Sequence, residues 1–119
     1  MQYLLLIYND EAHEAAKSPA EQEALMSAYW QFEDMLQAKD GVRVAGEALH
    51  PSASAKSMRV REGKTLVSDG PFAETKEQLG GFYLINVKDE AEALEIAGQL
   101  PSIVDGTIEV RRCHDFERP

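Results

Sequence analysis

The chain has 119 residues, one cysteine and a formal net charge of −9. That length supports one ordinary hydrophobic core, hiding roughly two-thirds of the extended-chain surface, and is short for two domains. The acid excess repels phosphate backbones and anionic membrane surfaces, which excludes nucleic acid and membrane as direct partners. The tightest cationic groupings, Arg59/Arg61/Lys64 and Arg111/Arg112, are too small for a footprint. A lone Cys113 makes no internal disulfide and no thiolate cluster, which fits a reducing, cytoplasmic compartment. With His114, Asp115 and Glu117 around it, Cys113 reads as a half-buried thiol near a strand end.

Tyr3 to Tyr8 is a short apolar run closed by the turn pair Asn9-Asp10, which predicts a first strand. A polar loop carrying His13 follows. Ser18-Pro19-Ala20-Glu21 has the form of a capping box with proline at the first helical position. Behind it Leu25, Ala28, Tyr29, Phe32, Met35 and Leu36 recur at helical spacing, with Gln22, Glu23, Glu33, Asp34 and Gln37 on the other side. The pattern predicts a helix from Pro19 to Lys39, stopped by Gly41.

Val42 to Glu47 resumes a strand, and Ala48 to Ala55 reads as a loop around Pro51. Ser57–Arg61 and Thr65–Ser68 are two short strands joined through Glu62-Gly63, a hairpin signal. Asp69-Gly70-Pro71-Phe72 is dense turn chemistry, and Ala73 to Gly80 is polar. Gly81 to Val87 is another strand. Asp89-Glu90-Ala91-Glu92 opens a second helix that buries Ala93, Leu94, Ala97 and Leu100 and ends at Pro101. Thr107 to Arg112 makes the final strand.

The order is βαβ, a hairpin, then βαβ. Setting the hairpin aside leaves βαββαβ, so the expected fold is a single α+β domain, residues 1–119, of ferredoxin-like type with an inserted β-hairpin. Strand one is apolar on both faces, with Tyr3, Leu5 and Ile7 pointing one way and Leu4, Leu6 and Tyr8 the other. Phe82/Leu84 and Tyr83/Ile85 repeat the pattern. Two helices cover one face of such a sheet, so a second subunit is expected to cover the other and to close a dimeric α+β barrel.

The densest polar constellation is Asp69-Gly70-Pro71-Phe72-Ala73-Glu74-Thr75-Lys76-Glu77. Asp69 is placed to accept bonds from backbone N–H groups beyond it, while Gly70 and Pro71 set a sharp bend. Glu74 and Lys76 have each other or Arg59 as charge partners. This stretch reads either as a self-bonded loop or as a cavity mouth whose burial tunes carboxylates for acid–base work. In the second reading Asp69, Glu74, Lys76 and Glu77 are the catalytic candidates, and His50, Arg59, Gly70, Pro71 and Phe72 the binding ones. No two of the three histidines, His13, His50 and His114, have a metal-ligand spacing, so neither a metal nor another cofactor is expected. Tyr29 and Trp30 read as helix core, with a pocket wall as the alternative.

The run from Asp69 to Glu77, followed by Gln78-Leu79-Gly80-Gly81-Phe82-Tyr83-Leu84-Ile85, resembles the signature of the DGPF branch of the YCII-related proteins. Tyr3–Tyr8, Val44-Ala45-Gly46-Glu47 with Leu49, and Gly63-Lys64-Thr65-Leu66-Val67 resemble the same family, so the similarity spans nearly the whole chain. The resemblance implies a dimeric α+β barrel, a bacterial origin and a stress or signalling context beside extracytoplasmic-function sigma factors. Some relatives carry a histidine on the first helix and an aspartate before the proline after the second, proposed as an acid–base dyad. This chain has no histidine in Pro19–Lys39, and Leu100 precedes Pro101, so the dehydrochlorinase chemistry of one relative does not carry over.

Three functions remain open. The first is a small-molecule binding or accessory module. The second is a cofactor-free isomerase or lyase using the carboxylates around Asp69. The third is an interaction module that partners a sigma factor through its acidic surface.

Overall fold

Strand β1 (Gln2–Asn9) runs between β5 (Gln78–Asn86) and β6 (Thr107–Arg112), antiparallel to both. Strand β2 (Arg43–Ala48) adds on the far side of β5, giving a four-stranded sheet of order β2-β5-β1-β6. That is the expected ferredoxin-like topology. The structure, a computed structural model, describes residues 1–116, so Glu117 lies outside it. No helix in it is long and apolar enough to cross a membrane.

Side chains alternate across the central strands. Tyr3, Leu5 and Ile7 of β1 and Tyr83 and Ile85 of β5 are buried under the helices. Leu4, Leu6, Tyr8, Phe82 and Leu84 point to the opposite, uncovered face and are half-buried. Both faces of the two central strands are therefore apolar, and the helices of this chain occupy one.

Helix α2 (Pro19–Gln37) begins where the capping box predicts: Ser18 Oγ accepts from Glu21 N, and the Glu21 carboxylate accepts from Ser18 N. It buries Phe32 and Leu36 and half-buries Leu25, Ala28, Tyr29 and Met35, the expected stripe. Its last helical residue is Gln37, two residues before the expected end at Lys39, with Ala38 as the cap. Helix α3 (Glu90–Ala97) is capped by Asp89, whose carboxylate accepts from Glu92 N at 2.9 Å. Ala93, Ile96, Ala97 and Leu100 form its buried stripe, whereas Leu94, expected inside, is 54% exposed. A residue one step from Ala93 turns about 100° away, and in a helix this short the single stripe leaves it outside.

The segment expected as a polar loop holds a five-residue helix, α1 (Glu11–Ala15), which carries His13. Asp10 caps it by accepting from Ala12 N and His13 N. Having no buried side chain, α1 lacks the apolar stripe by which longer helices are recognised. Lys17, at the α1–α2 junction, bonds Glu14 and also Asp105 in the loop before β6. The hairpin pairs β3 (Lys56–Arg61) with β4 (Lys64–Asp69) as a separate two-stranded sheet.

The β6 entry is tight. A Cβ on Gly106 would run into the Tyr8 carbonyl oxygen and lie 2.6 Å from Asn9 Oδ1. Gly106→Ala should therefore destabilise by about 2–3 kcal/mol, the overpacking range. Urea unfolding checks this: the midpoint should fall with an unchanged slope.

Candidate functional site

A cavity of about 390 Å³ opens between α2 and the end of the sheet where β2 finishes and β5 begins. Its floor is made of glycine because bulk does not fit. A Cβ on Gly46 would stand 2.7 Å from the Tyr83 ring, and one on Gly81 would stand 2.8 Å from the Glu47 carbonyl oxygen. Gly80 and Gly81, the close of the long loop motif, thus shape this cavity.

Aromatic side chains on α2 and β5 form the walls. Phe32 meets Tyr83 edge-on, with ring centroids 5.1 Å apart, which fixes the Tyr83 ring beside the cavity. Trp30 lines the mouth and is 61% exposed, so the pocket-wall alternative for this residue holds over helix core. Tyr29 is half-buried, and its hydroxyl lies 2.6 Å from Ser102 Oγ. Ser102 is 2% exposed and sits in a short 3-10 turn that Pro101 starts, so the proline presents the hydroxyl to α2.

The Glu33 charge in the wall is neutralised. Arg43 Nε and Nη2 donate to the Glu33 carboxylate at 2.9 Å, and the guanidinium lies 5.8 Å from the Tyr83 ring centroid. This forked pair is half-buried, and its hydrogen bonds with Glu33 hold the Arg43 pKa above its usual range. Burial, followed by the nearby Glu33 charge, pushes the Tyr83 phenol up to about 12. Burial also raises Tyr29. Both phenols are therefore neutral at physiological pH. Asn9 also lines the cavity, and its Oδ1 is buried without a hydrogen-bond partner. A buried acceptor of this kind costs about 1–3 kcal/mol.

The residues singled out from the sequence lie elsewhere. Asp69 pairs with Lys56 across the base of the hairpin, and its side chain is 84% exposed. The turn bonds are made by its neighbour: Gly70, with φ of 91°, donates to the Ala55 carbonyl at 2.7 Å and accepts from Ser57 Oγ at 3.0 Å. Among the described residues Arg59 pairs with no carboxylate, and it stacks over Phe72 with its guanidinium 5.5 Å from the ring centroid. Pro71, Glu74, Lys76 and His50 are exposed. Glu77 is half-buried and accepts from Thr107 Oγ1 at 2.7 Å. Among the described residues no hydrogen bond or ion pair joins Asp69 to Glu74, Lys76 or Glu77.

Sequence reasoning missed Asn9, Glu33 with Arg43, Tyr83 and Ser102. Glu33 stands four residues after Tyr29, an acid at the margin of the apolar stripe, and that spacing is the one local signal for its half-burial. The Tyr29–Ser102 contact joins residues 73 apart and has no local signature.

The raised phenols give a pH dependence. Tyr83 holds its proton in the folded protein to about 12 but releases it near 10 when unfolded, so its contribution to stability is whole below 10 and is lost as pH rises from 10 to 12. Phenolate absorbance should show a last ionisation step near pH 12, absent in Tyr83→Phe. If that step persists in the variant, Tyr83 does not hold its proton in the way described.

A family model for the YCII-related domain matches residues 1–117. An uncharacterised protein of Rhizobium meliloti (strain 1021) is 40% identical over 118 residues, covering 93% of this chain and 90% of that protein. A domain match over nearly the full length, supported by a relative of almost the same extent, shows that this chain belongs to the YCII-related family.

Proposed function

We propose that the protein is a small-molecule binding module that works as a two-fold dimer and holds its ligand in the cavity beneath α2. The observation that carries this reading is a formed cavity walled by aromatic side chains, with Asn9, Tyr29 and Ser102 among its polar lining residues. Neutral Tyr29, neutral Tyr83 and the internally compensated Glu33–Arg43 pair favour a small uncharged aromatic molecule. Dimer formation is supported by the uncovered Leu4–Leu6–Phe82–Leu84 face, whose stacking on a second copy would remove it from water.

In the bacterial signalling setting that the sequence resemblance implies, the module acts beside an extracytoplasmic-function sigma factor. The net charge of −9 supports a basic face on such a partner. Proton transfer at Asp69, Glu74, Lys76 and Glu77 is the second reading. It needs a cover from another subunit, because Asp69, Glu74 and Lys76 stand in solvent in one protomer.

Trp30 is the only tryptophan and sits at the cavity mouth, so its fluorescence reports occupancy. Titration with a panel of small uncharged aromatic alcohols and amines should give saturable quenching by at least one member. Leu25→Phe, which adds a ring to the cavity wall, should weaken that response at least tenfold. Its melting temperature should hold, because bulk placed in an existing void avoids overpacking. Equal saturation in both proteins, or none with any compound, contradicts the reading.

A further inference from the structure

The hairpin is built firmly at its root and bare along its length. Glu62 and Gly63, with φ of 52° and 75°, form the left-handed pair that a tight two-residue turn needs. Lys56–Asp69, the Gly70–Ala55 bond and Arg59 over Phe72 close the base of the ribbon. Below them, Glu11 of α1 holds both feet. Its carboxylate accepts from Ser52 N and Oγ, while its own N–H donates to Gln78 Oε1. The Asp69–Phe72 motif is therefore the clasp that aims the ribbon.

Beyond the clasp every ribbon residue except Ser57 is exposed. The register sorts the side chains onto two faces. Met58, Val60 and Val67 share one face, 69%, 60% and 59% exposed, while Arg59, Arg61 and Lys64 share the other with Leu66. The projection also shows in the chain's dimensions, 51 × 49 × 18 Å, and in its radius of gyration of 16.6 Å, against about 13–14 Å for a compact domain of this length. A lone two-stranded ribbon is marginal in water and gains from burying its apolar face.

Charge selects the surface it meets. The ribbon holds four of the chain's twelve cations and two of its twenty-one acids, so it is basic on an acidic molecule. Two ribbons repel each other, whereas a ribbon and the body of another copy attract. That body presents an apolar stripe of Leu4, Leu6, Phe82 and Leu84, with Glu47 on one edge strand and, on the other, Glu109 paired with Arg111 of the same face. We propose that the β3–β4 ribbon is an exchange arm, laid with its Met58–Val60–Val67 face against the margin of the uncovered sheet of a second copy, and that the net positive charge of the ribbon draws it to that acidic body. Two-fold symmetry makes the contact reciprocal, so each copy gives one arm and receives one. The proposal rests on the dimer reading and adds to it the element that locks the pair.

The test combines hydrogen exchange with sedimentation equilibrium on the full chain. Arm amides of the wild type should be protected in the dimer and lose that protection on dilution to monomer. Met58→Ser/Val67→Ser should raise the dimer dissociation constant at least tenfold. Arg61→Glu/Lys64→Glu should also weaken the dimer and flatten its salt dependence. A wild-type dimer with unprotected arm amides and unchanged association in both variants overturns the arm while leaving the dimer standing. Arm protection in a monomer overturns it too, since the ribbon would then fold back on its own body. A wild type that is monomeric and unprotected overturns both readings.

Discussion

The antiparallel pairing of β1 with β5 governs this molecule. The two strands match over their whole lengths, from Gln2 opposite Asn86 to Asn9 opposite Gln78, with one bulge between Ile7 and Tyr8. One face of the pair is closed by Phe32 and Leu36 of α2 and by Ala93, Ile96 and Leu100 around α3, and these residues share the core with Leu5 and Ile85. The other face carries leucines and a phenylalanine that no helix of this chain covers. Sheet pairing thus sets both the interior and the incomplete exterior, and the latter is the ground for the proposed association with a second copy.

The same pairing places the cavity. After the bulge, β1 ends at Asn9 and β5 begins at the Gly80-Gly81 pair, so the sheet thins beneath α2 and leaves space that side chains do not fill. Bulges re-aim side chains, and Asn9, two residues beyond Ile7, lies where the strand has shifted. Gly106 packs against its Oδ1, which fixes the carboxamide without giving it a donor. The proposed choice of ligand by shape rests on this aromatic wall, in which Glu33 is already paired with Arg43.

Much of this architecture was legible in the sequence because its causes are local. Ser18 and Glu21 announced α2, Glu62-Gly63 announced the hairpin turn, and the doubled apolar pattern of Tyr3–Tyr8 announced a sheet with two faces to cover. Helix α1 was hidden because five residues with no buried side chain leave no periodic trace. The cavity was hidden for a different reason. Its members Asn9, Tyr29, Arg43, Tyr83 and Ser102 come from five separate parts of the chain, each ordinary where it stands, and only the fold makes them neighbours. The Asp69–Phe72 run is conspicuous for its composition, and in one protomer its contacts are those of a clasp: an ion pair, a left-handed glycine and a cation over a ring.

The uncovered apolar face is the claim on which the dimer, the exchange arm and their reciprocity depend. Light scattering of the purified wild-type chain at micromolar concentration tests it most directly. The account predicts a mass of twice the 13.2 kDa chain, and a stable 13.2 kDa species would contradict it.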